Sequence, residues 1–118
     1  MLYVNNYQGA GYITRDVQLD QLEGGASRAR FTLALNRPGA KAPFYIDCIA
    51  WGGLALSLTD RGRKGVGIFV SGELETSSFQ DERGSWHKST VLRIEKYSIL
   101  QNPREDKEAT LKKPSPPV

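Results

Sequence analysis

Phe44-Tyr45-Ile46-Asp47-Cys48-Ile49-Ala50-Trp51, closed by Gly52-Gly53 and followed by Leu54-Ala55-Leu56-Ser57-Leu58, is the stretch on which the reading of the fold turns. Successive side chains of a strand point to opposite sides, so these eight residues split into two faces. Ile46, Cys48 and Ala50 form a small apolar set suited to a core. Tyr45, Asp47, Ile49 and Trp51 form a mixed set suited to a surface that meets a partner. The glycine pair ends the strand, and Leu54 and Leu58 predict a short helix that stops at Arg61-Gly62.

Strand signals flank this unit on both sides. Upstream, Ala29, Phe31, Leu33 and Leu35 alternate with Arg30, Thr32, Ala34 and Asn36 between the Gly24-Gly25 turn and a loop at Arg37-Pro38-Gly39-Ala40-Lys41. Before that, Tyr3 to Thr14 is rich in β-formers but carries Gly9 and Gly11, which weaken or bulge a strand. Downstream, Val66 to Phe79 and Trp86 to Leu100 read as strands around a polar hairpin tip, Gln80-Asp81-Glu82-Arg83-Gly84. Five strands with one short helix between the third and fourth is the order of an OB-fold, an all-β Greek-key barrel, although periodicity alone leaves other small barrels open. From Gln101 the composition changes, through Arg104-Glu105-Asp106-Lys107-Glu108 to Lys112-Lys113-Pro114-Ser115-Pro116-Pro117. The reading is therefore one domain over residues 1–102 and a flexible Pro/Lys-rich tail over 103–118.

Composition excludes several function classes. The 118 residues suit one domain with a modest core, and 39% hydrophobic with 25% charged is a globular balance. No apolar run approaches the roughly 20 residues of a membrane-spanning helix. Met1-Leu2-Tyr3-Val4-Asn5-Asn6 lacks the layout of a secretion signal or transit peptide, which predicts a cytoplasmic protein. One cysteine and one histidine exclude a disulfide framework, a multi-cysteine zinc site and a histidine-based triad. Cys48 reads as packed core, His87 as surface, and Asp47, with no partnered acid or base, as a hydrogen-bonding strand residue. Gly65-Val66-Gly67 lacks the Lys-Ser/Thr and strand-turn-helix context of a phosphate loop. No enzyme activity, cofactor or metal is expected. The net charge of +3 agrees with a polyanion partner without demanding one.

Taken in order, five pieces of the chain resemble the bacterial single-stranded DNA-binding protein (SSB) family. They are Gly11-Tyr12-Ile13-Thr14-Arg15-Asp16, Phe31-Thr32-Leu33-Ala34-Leu35-Asn36-Arg37, Ile46-Asp47-Cys48-Ile49-Ala50-Trp51-Gly52, Arg63-Lys64-Gly65 and Val70-Ser71-Gly72-Glu73-Leu74-Glu75-Thr76. Each is weak alone; their order and spacing from Tyr3 to Leu100 carry the resemblance. It implies a homotetramer of OB-folds that wraps unwound DNA in replication, recombination and repair, at the bacterial nucleoid. It also implies stacking aromatics at Tyr45, Trp51 and Phe79. Two features depart from the family pattern near the bases: no ring near Gly39, and Ser77-Ser78 where basic residues are common. Both predict weaker or differently routed binding. The family's usual acidic, hydrophobic tip recruits replication or repair proteins; here the sequence given closes basic and proline-rich, a departure that leaves such recruitment open.

Residue chemistry supports the same partner. Every unpaired base exposes a π-face, so aromatic side chains can hold any sequence, and basic side chains add phosphate attraction. Tyr45 and Trp51 lie six apart on one strand and share a face; Phe79 and Trp86 flank a hairpin. Candidate phosphate contacts are Arg28, Arg30, Arg37, Lys41, Arg63, Lys64, Lys88 and Arg93. For Trp86 a core or subunit contact competes with stacking, and any single basic residue competes with plain solvated surface. A face with Tyr3, Tyr7 and Tyr12 would suit a partner subunit. The alternative reading is an OB-fold interaction module or accessory paralogue that mainly contacts other proteins and binds DNA weakly. RNA stays open, because stacking does not distinguish sugars.

Overall fold

The fold is taken from a computed structural model, which describes residues 1–103. The expected flexible tail, apart from Pro103, lies outside the described residues. In chain order the elements are β1 (Tyr7–Ile13), β2 (Gln18–Gln21), a 3-10 turn (Glu23–Gly25), β3 (Ser27–Leu35), β4 (Phe44–Trp51), α1 (Gly52–Arg61), β5 (Gly67–Gln80) and β6 (Trp86–Gln101). β4 and the end of α1 fall where the alternation and the glycines place them. One strand was not anticipated: β2, Gln-Leu-Asp-Gln, is too short and polar to announce itself, and it forms only because β3 offers it an antiparallel edge from Ser27 to Arg30.

The strands run β1-β5-β6-β4-β3-β2, and β1 also pairs with β3 through Tyr12 and Ile13, which closes the sheet into a barrel. β4 and β6 meet in parallel over one short stretch, Cys48 beside Leu92 and Ile49 beside Arg93. This is the OB-fold barrel, with the helix between the two halves of the chain as expected. Inside, Ile13, Leu33, Leu58, Ile68, Val70 and Leu92 are fully buried, and no buried polar residue interrupts them among the described residues. Burying such a side chain contributes about 1.5–3 kcal/mol. α1 adds Ala55 and Leu58 to the same core and is tied to β6 by a hydrogen bond between the Ser57 and Tyr97 hydroxyls.

Two glycines make the closure possible. A Cβ on Gly11 would overlap the Ala34 carbonyl oxygen of β3, where β1 turns from β5 to its second partner. A Cβ on Gly72 would overlap the Arg93 carbonyl oxygen of β6, at the register shift between Ser71 and Gly72. Backbones approach there more closely than any side chain permits.

Three details differ from expectation. β1 begins at Tyr7, and ahead of it the Asn5 side chain does the work of a strand, donating to the Leu74 carbonyl at 2.7 Å and accepting from the Leu74 amide at 2.9 Å. Tyr7 and Tyr12 do not share a face: five residues apart, Tyr7 turns inward against the core while Tyr12 is exposed. Ile49, on the outward face of β4, is nonetheless buried, because in register it sits between the long side chains of Arg30 and Arg93.

Gly72→Ala should lower stability by about 1–3 kcal/mol through overpacking, read as a lower urea midpoint. Gly53→Ala, in the first turn of α1 with nothing within 4 Å of the added methyl, should raise it by about 0.4–1 kcal/mol in the same measurement.

Candidate nucleic-acid interface

β5 and β6 pair from Gly67 opposite Gln101 out to Gln80 opposite Trp86, well past the last core residues, so their distal half stands out as an arm. Between this arm and the outward faces of β3 and β4 lies an open groove of about 860 Å³. The alternation of β4 delivers Tyr45, Asp47 and Ile49 to it; that of β3 delivers Arg28, Arg30 and Thr32. The arm contributes Ser77, Ser78, Phe79, Ser89 and Val91, all but Ser78 from the face on which Phe79 opposes His87. Tyr45 is 58% exposed and Phe79 51%, so both rings are presented to solvent within one groove.

The other two expected stacking residues are placed differently. Trp51 shares the face of Tyr45 and is 41% exposed, but stands at the far end of β4 opposite Arg28 and does not border the groove. Trp86, 69% exposed, opposes Gln80, one residue out of phase with the Phe79–His87 pair. Period-two alternation therefore turns Trp86 to the opposite face of the arm from Phe79, and the two rings do not form one track along the hairpin.

The basic residues divide into four groups. Arg28 and Arg30 border the groove, and both are held by Asp20 of β2, at 3.1 and 2.7 Å. Hydrogen bonds from Arg30 and then Arg28 keep the Asp20 carboxyl below the usual carboxylate range. Arg93 is likewise engaged, with Glu75 at 2.9 Å, Glu73 at 3.3 Å and Glu95 at 3.6 Å. Arg37 and Lys41 are exposed in the β3–β4 loop, next to the Tyr45 end of β4. Arg63 and Lys64 instead border a second groove with Asp60, Arg61, Ile99 and Pro103; the Lys64 amide donates to Asp16. Lys88 opposes Ser78, in phase with Trp86 and out of phase with the Phe79–His87 pair.

One participant carried no signal in the sequence, and three others take the places given next. Asp20 reads as an ordinary polar residue until the β2–β3 register sets it beside Arg28. Asp47 accepts from the Thr32 hydroxyl at 2.8 Å, in keeping with its reading as a hydrogen-bonding strand residue. His87 stacks on Phe79 with ring centroids 5.2 Å apart and planes 21° from parallel. Cys48 is buried, and burial together with nearby Asp47 pushes its thiol up to about 12. Among the described residues no group of three or more His, Cys, Asp or Glu side chains is placed to hold a metal ion, and no helix is long and apolar enough to cross a membrane.

Comparison with known proteins points the same way as the barrel. Residues 4–100 match the model of the single-strand binding protein family. The chain is 30% identical over 103 residues to Single-stranded DNA-binding protein 1 of Streptococcus pyogenes, covering 83% of this chain and 79% of that protein. It is 35% identical over 97 residues to the Single-stranded DNA-binding protein of Borreliella burgdorferi, covering 77% and 65% respectively. With the protein of the same name from Lactiplantibacillus plantarum it shares 29% identity over 100 residues, 80% of this chain and 50% of the other.

The Asp20 clamp generates a pH prediction. A carboxyl whose folded-state value is depressed adds stability that is present above the unfolded value, near 3.9, and is lost as pH falls through the folded one. Urea unfolding of the wild type should therefore weaken more steeply below about pH 4 than that of Asp20→Asn. The two should differ at neutral pH by under about 1 kcal/mol, the scale of an exposed ion pair.

Proposed function

This chain belongs to the single-strand binding protein family, and from that premise we propose that it binds single-stranded DNA without sequence preference, through base stacking on Tyr45 and Phe79 and phosphate contacts from the surrounding arginines and lysines. One observation carries the reading: two exposed aromatic rings from different strands, Tyr45 and Phe79, border a single open groove whose β3 wall carries Arg28 and Arg30. An exposed ring on a soluble barrel is a cost unless something flat covers it, and an unpaired base does so whatever its identity. Trp51 extends the track along the face of β4; Trp86 offers a separate contact on the back of the arm.

The electrostatic part is tempered by the acids. Asp20 offsets one of the two charges of Arg28 and Arg30, and Arg93 faces three glutamates, so a phosphate entering the groove competes with carboxylates already in place. Arg37 and Lys41, exposed beside the Tyr45 end of β4, carry no ion pair among the described residues. On that family reading we further propose a role in replication, recombination and repair in the bacterial cytoplasm, as a homotetramer without catalytic activity. The outward apolar side chains Tyr12 and Leu100, on β1 and β6, support self-association.

Tryptophan fluorescence titration with oligo-dT should show quenching and an affinity that falls with salt by about 0.7 log units per log unit of salt for each phosphate neutralised. Tyr45→Ala and Phe79→Ala should each weaken binding by about 1–3 kcal/mol. Replacing Arg37 and Lys41 together by alanine should lower the salt slope by about 1.4. Duplex DNA binding as tightly as oligo-dT would overturn the proposal, and negligible binding of either would favour the interaction-module reading.

A further inference from the structure

Phe79 is not an isolated ring. It borders the groove and stacks on His87, which itself does not border the groove. His87 Nε2 lies 2.6 Å from Asp81 Oδ2. Asp81 is in turn the knot of the hairpin tip: its other carboxylate oxygen accepts from the Arg83 and Ser85 amides, both at 2.9 Å. Its backbone amide donates to the Ser85 carbonyl at 2.9 Å, and its carbonyl accepts from Gly84 at 3.0 Å. The order outward from the groove is thus Phe79, His87, Asp81, then the backbone of the turn.

We propose that Asp81 and His87 are positioning residues for nucleic-acid binding: they hold the Phe79 ring square to the groove and place a titratable positive charge behind it. The proposal rests on the stacking role of Phe79 given above and extends it. A phenylalanine at the mouth of a solvated arm has two free torsions and would spend them on many orientations, each lost when a base stacks. A ring stacked behind it, fixed by a hydrogen bond to a carboxylate that the turn itself holds rigid, removes that freedom beforehand. Histidine is the residue type that gains charge within the physiological range, and a cation against a ring favours both the stack and the nearby phosphates.

The charged groups around His87 among the described residues are few. Asp81 is in contact; Glu82 and Arg83 belong to the same turn; on the arm, the partners sharing its face are Phe79, Ser77 and Ser89, and Lys88 points to the other face. Hydrogen bonding from His87, then from the Ser85 amide, holds the Asp81 carboxyl below its usual range.

The test is anisotropy of labelled oligo-dT with the full chain, at fixed salt, at pH 8 and pH 5.5. Wild-type affinity should rise about two- to fivefold on acidification, the scale of one exposed cation–π contact. His87→Phe keeps a stacked ring but loses both the charge and the hydrogen bond to Asp81; it should bind more weakly than wild type at pH 8 and show a flat profile. His87→Ala and Asp81→Ala should each weaken binding, and the double variant should be no weaker than the worse single one, as expected for two members of one chain of contacts. If Phe79→Ala weakens binding while His87→Ala and Asp81→Ala bind as wild type does at both pH values, the positioning role is overturned and the stacking role stands. If Phe79→Ala itself changes nothing, the stacking role of that ring fails and this proposal fails with it.

Discussion

β1 must satisfy two partners at once, β5 along most of its length and β3 at its end, and every other feature of the barrel depends on that double pairing. Strand backbones that change partner have to approach a third chain segment closely, and a side chain at the crossing would strike the neighbouring carbonyl. Gly11 meets this constraint against Ala34, and Gly72 meets its counterpart against Arg93. Once the ring is closed, inward positions of all the long strands converge on one apolar core. Their outward positions are left to whatever the surface must do.

That surface is organised by the length of β5 and β6. A barrel of this size needs only the proximal half of each, and the distal half, from about Glu75 to Gln80 and its partner segment, leaves the core behind. Its exposure gives one face to the groove and the other to solvent. The cost is an arm with little apolar burial, and the hydrogen-bonded turn around Asp81 compensates locally where the core cannot.

Charge follows a similar logic. Arginines placed near one another on a sheet repel unless an anion intervenes, and Asp20 supplies it for Arg28 and Arg30, as Glu73, Glu75 and Glu95 do for Arg93. The result orients guanidinium groups in advance but lowers the net field of the groove. Under the proposed function, a phosphate would meet ordered donors whose charge is partly spoken for, a balance that suits reversible binding over tight electrostatic capture.

Local alternation and turn chemistry made most of the barrel legible in advance. The β4 strand, the helix after Gly52, the core role of Ala29, Phe31 and Leu33, and the exposure of Tyr45 all follow from period-two patterning and the glycines that interrupt it. Those are properties of neighbours in the chain. Whatever depends on register between distant segments was not written there. Strand β2 exists because β3 lends it an edge, Ile49 is buried because two arginines from other strands flank it, and Tyr7 and Tyr12 part company across β1. A shift of one residue in the pairing of β5 with β6 would put Trp86, not His87, opposite Phe79. Sequence supplied the residue types of the groove; only long-range pairing, which sets which side chains share a face, decided which of them meet.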